Sequence, residues 1–131
     1  MALVKPVLKR PDPRLMQTFV QTYPALTTTS TGHPVAIGDL SEITVQAYGA
    51  FTGGGSVKLQ GSNDPLVADD ILNGTSTATW FDCTKDGTNG LTFSAVGVMN
   101  LHEHPLYVKP VVTGTLSAGV LLAISGKRMV H

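Results

Sequence analysis

The chain has 131 residues, of which 42% are hydrophobic and 14% are charged, and its formal net charge at pH 7 is zero. This length allows one domain with one modest core. A zero net charge argues against general nucleic-acid binding, which depends on a strong positive field. The longest apolar runs fall well short of the ~20 residues that a membrane span needs, and we recognise no signal peptide. We therefore expect a soluble protein with a rather neutral surface, of the kind that often lies against another protein.

Residues 1–33 predict an extended N-terminal arm and linker. The leading segment MALVKPVLKRPDPR holds three prolines and four basic residues, and the prolines disfavour a helix. The next segment, LMQTFVQTYPAL, continues the arm. Leu15, Phe19 and Tyr23 would share one helical face there, but the Thr and Val content and Pro24 equally suit an edge strand. TTTSTGHP suits a polar linker. We expect this arm to contact a partner through Leu3, Val4, Lys5, Val7, Leu8, Lys9, Arg10, Arg14, Phe19 and Tyr23.

Residues 34–131 predict a compact β domain. SEITVQAYGAF alternates between apolar and polar residues, and SVKLQGS does the same with Val57 and Leu59 facing inward. TGGG, from Thr52 to Gly55, separates the two segments and is typical of a hairpin turn. We therefore predict that these two strands pair with each other.

The remaining segments continue the strand pattern as far as the C-terminus. NDPLVADDILNGTST predicts a long loop with a short helical turn from Leu66 to Ile71, and Pro110 in LYVKPVV favours an edge strand or a bulge. Further strands are expected in TATWFDCT, LTFSAVG, VMNLHEH and VLLAISGKR. Strands at this spacing, joined by Gly-rich turns, predict an all-β fold: an antiparallel β-sandwich or jelly roll of about eight strands.

Several polar clusters resemble sites but have plainer explanations. His102 and His104 would lie on one face of a strand, where a metal site would need further ligands, for instance around the symmetry axis of an oligomer. Asn63, Asp64, Asp69 and Asp70 lack the EF-hand spacing and are expected to be solvated loop residues. Gly53–Gly55 lack the Lys and Ser or Thr of a phosphate-binding loop. We expect neither a metal nor a cofactor.

The chain shows no catalytic motif, so we expect no enzyme and assign no catalytic residue. Nothing in the sequence brings the single cysteine, Cys83, to a histidine, and beside Trp80 it is expected to be a small buried hydrophobe. Trp80 itself is expected to fill the sandwich interior. An alternative is that Trp80 and Tyr48 form an aromatic platform for a sugar.

Three stretches resemble small structural proteins of tailed bacteriophages: ITVQAYGAFTGGGSVKLQGSND, TWFDCTKDGTNGLTF and HPLYVKPVVTGT. The resemblance covers roughly residues 40–126, while the Pro-rich arm and the long PLVADDILNGTST segment depart from it. The order of these stretches is also similar to that of discoidin-type jelly rolls.

The phage resemblance implies a virion component made in the host cytoplasm, of the capsid decoration or cement type. Such a protein binds the major capsid protein, stabilises the head and is commonly a homo-oligomer, with a trimer favoured. An arm of fourteen residues reaches at most ~45–50 Å, enough to cross to an adjacent subunit. The alternatives are a protein of the tail, neck or fibre, and a carbohydrate-binding module for host attachment.

Overall fold

The chain forms two β-sheets that face each other across one core, in a computed structural model that describes residues 3–4, 7–9, 16–27 and 31–129. The first sheet contains β1 (Leu3–Val4), β4 (Thr31–Gly32), β5 (Val35–Ala36), β7 (Ser56–Ser62), β8 (Phe81–Asp82), β9 (Thr92–Phe93) and β11 (Tyr107–Thr113). The second contains β2 (Val7–Lys9), β3 (Met16–Leu26), β6 (Ser41–Gly49), β10 (Gly97–Asn100) and β12 (Val120–Met129). All registered strand pairs are antiparallel except β1 with β4. The predicted all-β sandwich is confirmed.

The core is made by the inward rows of the two sheets. In β6, Ile43, Val45 and Ala47 are buried while the residues between them face outward, as the alternation predicts. The first sheet contributes the buried side chains of Val57 and Leu59 in β7 to the same core. Removing a Leu or Val side chain from water contributes roughly 1.5–3 kcal/mol, so these facing rows account for much of the stability of the sandwich.

The predicted hairpin between the segments that became β6 and β7 is wrong. The two strands lie in different sheets, β6 beside β12 and β10, and β7 beside β11. The linker, residues 50–55, can span ~20 Å when extended, which is ample for the ~10 Å between packed sheets. The chain therefore crosses the sandwich here, and the apolar rows of β6 and β7 face each other instead of lying side by side.

A second crossing, between β11 and β12, lies against the first. Gly55 N donates to Thr115 O at 2.8 Å, and Ser117 N donates to Thr52 O at 3.0 Å. The hydroxyls of Thr52 and Ser117 are 2.9 Å apart. Gly53 and Gly54 have φ values of 103° and 82°, which favour glycine. The glycine-rich segment is a turn as predicted, but it closes one end of the sandwich.

Pro110 lies in the interior of the first sheet, so its predicted place at an edge or bulge is wrong. It stands opposite Leu59, whose backbone N–H donates to Leu91 O and whose carbonyl accepts from Cys83 N, both on the far side of β7. The Pro110–Leu59 pair is therefore a non-hydrogen-bonded pair, and the proline nitrogen faces away from β7. On that other side β11 pairs with β5 at Tyr107 and Val108 and with β4 at Val111. The ladder is interrupted beside Pro110, where a missing N–H costs nothing.

The segment predicted as arm and linker contributes strands to both sheets. β3 pairs along its length with β12, and β2 pairs with β3 at the edge of the second sheet. β1 forms the edge of the first sheet beside β4. The predicted boundary between residues 33 and 34 therefore lies between paired strands of the sandwich.

The short strands of the second half differ in extent from the prediction. The predicted helical turn is α1 (Leu66–Asn73), the single helix in the described part of the chain, and it ends at Gly74 with φ 66°. TATWFDCT contributes only the two residues of β8, and residues 77–80 run irregularly beside α1. Cys83 is buried as predicted.

Candidate binding surfaces

A cavity of about 380 Å³ lies on the outer side of the first sheet, between α1 and the interrupted edge of β11. The cavity lies where the pairing of β11 with β4 and β5 is interrupted. Lys109 and Pro110 have no registered partner there, because residues 33 and 34 do not pair with β11. Its lining comprises Gly32, His33, Pro34, Val67, Asp70, Ile71, Gly74, Thr75, Ser76, Ala78, Trp80 and Lys109. A volume of this size lies within the range typical of small-ligand sites.

Residues 32–34, which form one wall of the cavity, are fixed by contacts with residues of the core. The hydroxyl of Tyr23, a fully buried side chain, donates a hydrogen bond to the carbonyl of His33. A Cβ placed on Gly32 would lie 2.3 Å from Pro110 Cγ, so only glycine allows this close approach of β4 to β11. Tyr23 was predicted to contact a partner, and this prediction is corrected: the ring has no exposed surface, and burial raises the pKa of its hydroxyl.

Lys109 and Trp80 are paired within the cavity. Lys109 Nζ lies 4.3 Å from the centroid of the Trp80 ring, a cation–π geometry. Burial lowers the pKa of Lys109, while the nearby Asp70 charge acts in the opposite direction. Both side chains are half-buried, so the pair presents a fixed cation and an indole at the cavity surface.

Asp70 anchors the loop that forms the outer wall. One carboxylate oxygen accepts from the hydroxyls of Thr75 and Thr77 at 2.7 and 2.6 Å. The other accepts from the backbone N–H groups of Thr77 and Ala78 at 2.9 and 2.7 Å. These bonds, with the Thr77 hydroxyl first, hold the pKa of Asp70 well below its usual range despite the opposing effect of burial. Asp70 was expected to be a solvated loop acid, and this expectation is wrong.

Asp64 fastens the other end of the same loop. Its carboxylate accepts from Leu66 N and from Thr79 N, both at 2.9 Å. Ser62 Oγ adds a bond of 2.6 Å to Thr79 O. The acidic residues predicted around α1 thus hold the segment that carries Trp80, and Asp69 remains exposed.

Trp80 does not fill the sandwich interior, which corrects the prediction for this residue. The prediction assumed that alternation extends through TATWFDCT, but Thr79 and Trp80 precede the strand. Tyr48 faces outward from β6 in the second sheet. The two aromatic residues therefore lie on opposite sides of the sandwich and cannot form one platform.

The described outward side chains of β6, β10 and β12 are uncharged except at one end of the second sheet, and we call this part of its outer side the uncharged face. Tyr48 is 36% exposed, and Val96 and Val98 at the β10 edge are 61% and 62% exposed. Its other outward residues are Thr44, Gln46, Leu121 and Ala123. Among the described side chains of β6, β10 and β12, the charged ones are Glu42 and Lys127, which pair at 3.0 Å at one end.

The remaining predicted positions carry less information. His102 and His104 are exposed, and Glu103 between them accepts bonds from Thr84 N at 2.7 Å and from its hydroxyl at 2.5 Å. Among the residues that the structure describes, no three acidic, histidine or cysteine side chains gather as metal ligands would. The buried Cys83 thiol has its pKa raised to about 12, chiefly by burial, which makes it a poor nucleophile.

The predicted partner-contacting residues divide into three groups. Lys5, Arg10 and Arg14 lie outside the described residues. Strands near the N-terminus contain Leu3 and Val4 in β1, Val7, Leu8 and Lys9 in β2, and Phe19 in β3. Tyr23 belongs to the core.

No model of a known protein family matches the chain, and no curated protein matches its sequence. Among solved structures, the fold is similar to that in the crystal structure of the SPBc2 prophage-derived protein YomS. The TM-score is 0.56 with 13% sequence identity, over 84% of this chain and 94% of the YomS chain. At this identity the likeness concerns the fold alone. In the described part of the chain, no helix has the length and apolar character needed to cross a membrane.

Proposed function

We propose that this protein is a non-enzymatic virion protein of a tailed bacteriophage that decorates the head by binding the major capsid protein. The observation that carries the proposal is the uncharged face, where Tyr48, Val96 and Val98 are exposed beside an open sheet edge. Exposed apolar residues grouped on one face are typical of a surface that another protein covers. The fold that the chain shares with a prophage-derived protein supports a phage origin.

The geometry of the uncharged face suits docking onto a larger shell. Across the sheet, Val98 registers with Gln46 and Gln46 with Ala123, so the outward side chains form a continuous row of uncharged groups. A standard interface needs ~800 Å² from each partner. That is roughly a tenth of the 7033 Å² that the chain exposes, so one side of one sheet is sufficient.

The leading segment supplies a second contact in this proposal. β1 and β2 contain two and three residues and lie at sheet edges, so few backbone bonds hold each of them to its own sandwich. Such segments can pair with the sheet edge of a neighbouring copy or of a shell subunit, the route known as strand addition. Repetition over many copies on one shell multiplies a modest gain per site, and a trimer would do so within each cluster.

The test introduces charge into the uncharged face. The double variant Tyr48→Asp/Val98→Asp should leave the sandwich folded, since both side chains point to solvent, and should weaken binding to undecorated phage shells at least tenfold. Burying two unpaired carboxylates in an interface is strongly unfavourable. Binding is measured by co-sedimentation with shells, and folding by circular dichroism.

The matched control is Leu72→Asp, which makes the same chemical change at a residue that is 82% exposed on the opposite side of the molecule. It should bind shells like the unmodified chain. Equal binding by the double variant would refute docking through the uncharged face. Copy number in purified virions separates head from tail: hundreds of copies support decoration, and a handful would place the protein in the tail, neck or fibre.

A further inference from the structure

We propose that the cavity between α1 and the first sheet binds one sugar residue of an uncharged glycan. This inference is independent of the proposed head-binding role, because the cavity and the uncharged face lie on opposite sides of the sandwich. A decorated head presents its outward side to the surroundings, so a site there would let the particle adhere to a glycan-bearing surface.

The charges in the cavity favour an uncharged ligand. Besides the imidazole of His33, the ionisable lining residues are Lys109 and Asp70, whose opposite charges balance each other. An acidic sugar that approached Lys109 would also approach the Asp70 carboxylate. A cationic ligand would meet Lys109, whose ammonium already occupies one face of the Trp80 indole at 4.3 Å. Neutral saccharides avoid both repulsions.

The polar groups of the lining can nevertheless hold hydroxyls. Lys109 carries three donors, and the lining also contains the exposed residue Ser76 and the half-buried imidazole of His33. The Thr75 hydroxyl donates its proton to Asp70 and keeps its lone pairs for a ligand donor. Both oxygens of Asp70 already accept hydrogen bonds from Thr75, Thr77 and Ala78. This carboxylate therefore holds the loop in place, and the other polar groups of the lining bind the ligand.

The apolar part of the lining suits the C–H groups of a pyranose ring. Ile71, Pro34 and Ala78, which are half-buried, stand with the Trp80 indole around the same space, so one side of a sugar can contact carbon while its hydroxyls reach the polar groups. Apolar walls with a few placed polar groups are the usual composition of ligand sites. Because Asp64 and Asp70 tie the loop down from both ends, little ordering is needed when a ligand enters.

The chain contains one tryptophan, so its fluorescence reports on the cavity directly. We expect a printed array of neutral and acidic glycans to reveal binding of at least one neutral glycan. Titration of that glycan should then change the Trp80 emission with saturation. Lys109→Met, which removes the donors but keeps the fluorophore, should weaken binding at least tenfold by the same measurement.

Two further variants complete the test. Ser76→Phe places a large side chain at the exposed mouth and should abolish the titration without altering the fold. Tyr48→Ala, on the opposite side, is the control and should bind the glycan normally. Absence of any binding on the array, binding of acidic glycans alone, or binding unaffected by both cavity variants would overturn the proposal. None of these results bears on shell binding, which is measured separately with the uncharged-face variants.

Discussion

At the scale of single residues, Asp70 shows how a loop acid becomes a structural anchor. Nothing in DPLVADDILNG distinguishes Asp69 from Asp70 by type. In the fold Asp69 is exposed, whereas Asp70 lies on the buried side of α1 and accepts bonds from two hydroxyls and two backbone N–H groups. The sequence did hold one signal that Asp70 is buried: it follows Val67 by three residues, so both side chains lie on the same face of the helix.

The pH dependence of stability follows from the lowered pKa of Asp70. A carboxyl whose folded-state pKa is depressed contributes stability above its unfolded value of ~3.9 and loses it as pH falls through the folded value. Asp70→Asn should therefore melt below the unmodified chain at pH 7, because an amide nitrogen cannot accept hydrogen bonds. The gap in melting temperature should narrow as pH falls below ~4. Thermal scans across pH measure it, and Asp69→Asn should melt like the unmodified chain throughout; a gap independent of pH would contradict this account.

Trp80 and Tyr23 show where residue-level prediction stops. Aromatic residues are commonly buried in small β domains, and that prior assigned Trp80 to the interior and left Tyr23 to the arm. The structure reverses the two: Tyr23 has no exposed surface, while Trp80 is half-buried at the cavity. Which aromatic ring enters the core depends on which segment becomes a long strand. The sequence around β3 left this open, because the spacing of Leu15, Phe19 and Tyr23 suits a helical face, while the segment equally suits an edge strand.

At the scale of strands, the alternation of apolar and polar residues predicts which side chains point into the core, but not which strands pair with each other. The inward residues of β6 and β7 were identifiable because apolar residues recur at every second position. Whether two successive strands pair or cross the sandwich depends on the connection, and TGGG is compatible with both. What decides it is the second connection, residues 114–119, whose backbone bonds to Thr52 and Gly55 exist only after both strands have crossed. The signal is therefore long-range and absent from the local sequence.

The paired crossings make a prediction about Gly55. A Cβ placed there would lie 2.5 Å from Thr115 O and 2.8 Å from Thr115 C, so the backbones of the two connections would have to separate. Gly55→Ala should lower the free energy of unfolding by ~1–3 kcal/mol, the usual cost of overpacking. Urea denaturation measures the change.

Gly90→Ala serves as the control for that measurement, because its nearest contact would be Thr92 Oγ1 at an ordinary 3.5 Å. Its stability should stay within ~0.5 kcal/mol of the unmodified chain. If the two alanine variants were equally stable, the packing of the crossings would not matter to the fold.

At the scale of the whole molecule, the two outer sides of the sandwich differ in character. The first sheet carries α1, the cavity and the Lys58–Asp82 ion pair at 3.1 Å, while the second presents the uncharged face. The low charged fraction predicted a covered surface somewhere, but not on which sheet. That assignment required knowing that β10 lies beside β6, which places Val98 in one row with Gln46.

The role of the leading segment is tested by removing it. The described core begins at Tyr23, so deletion of residues 2–14 should leave a folded sandwich, with some loss of stability because the edges of β3 and β4 lose β2 and β1. Shell binding should fall by tenfold or more if the segment pairs with a neighbour. Circular dichroism and co-sedimentation read the two effects separately. A truncated chain that stays folded and decorates shells as tightly as the full chain would show that the segment only covers the edges of its own sheets, and that the uncharged face accounts for attachment alone.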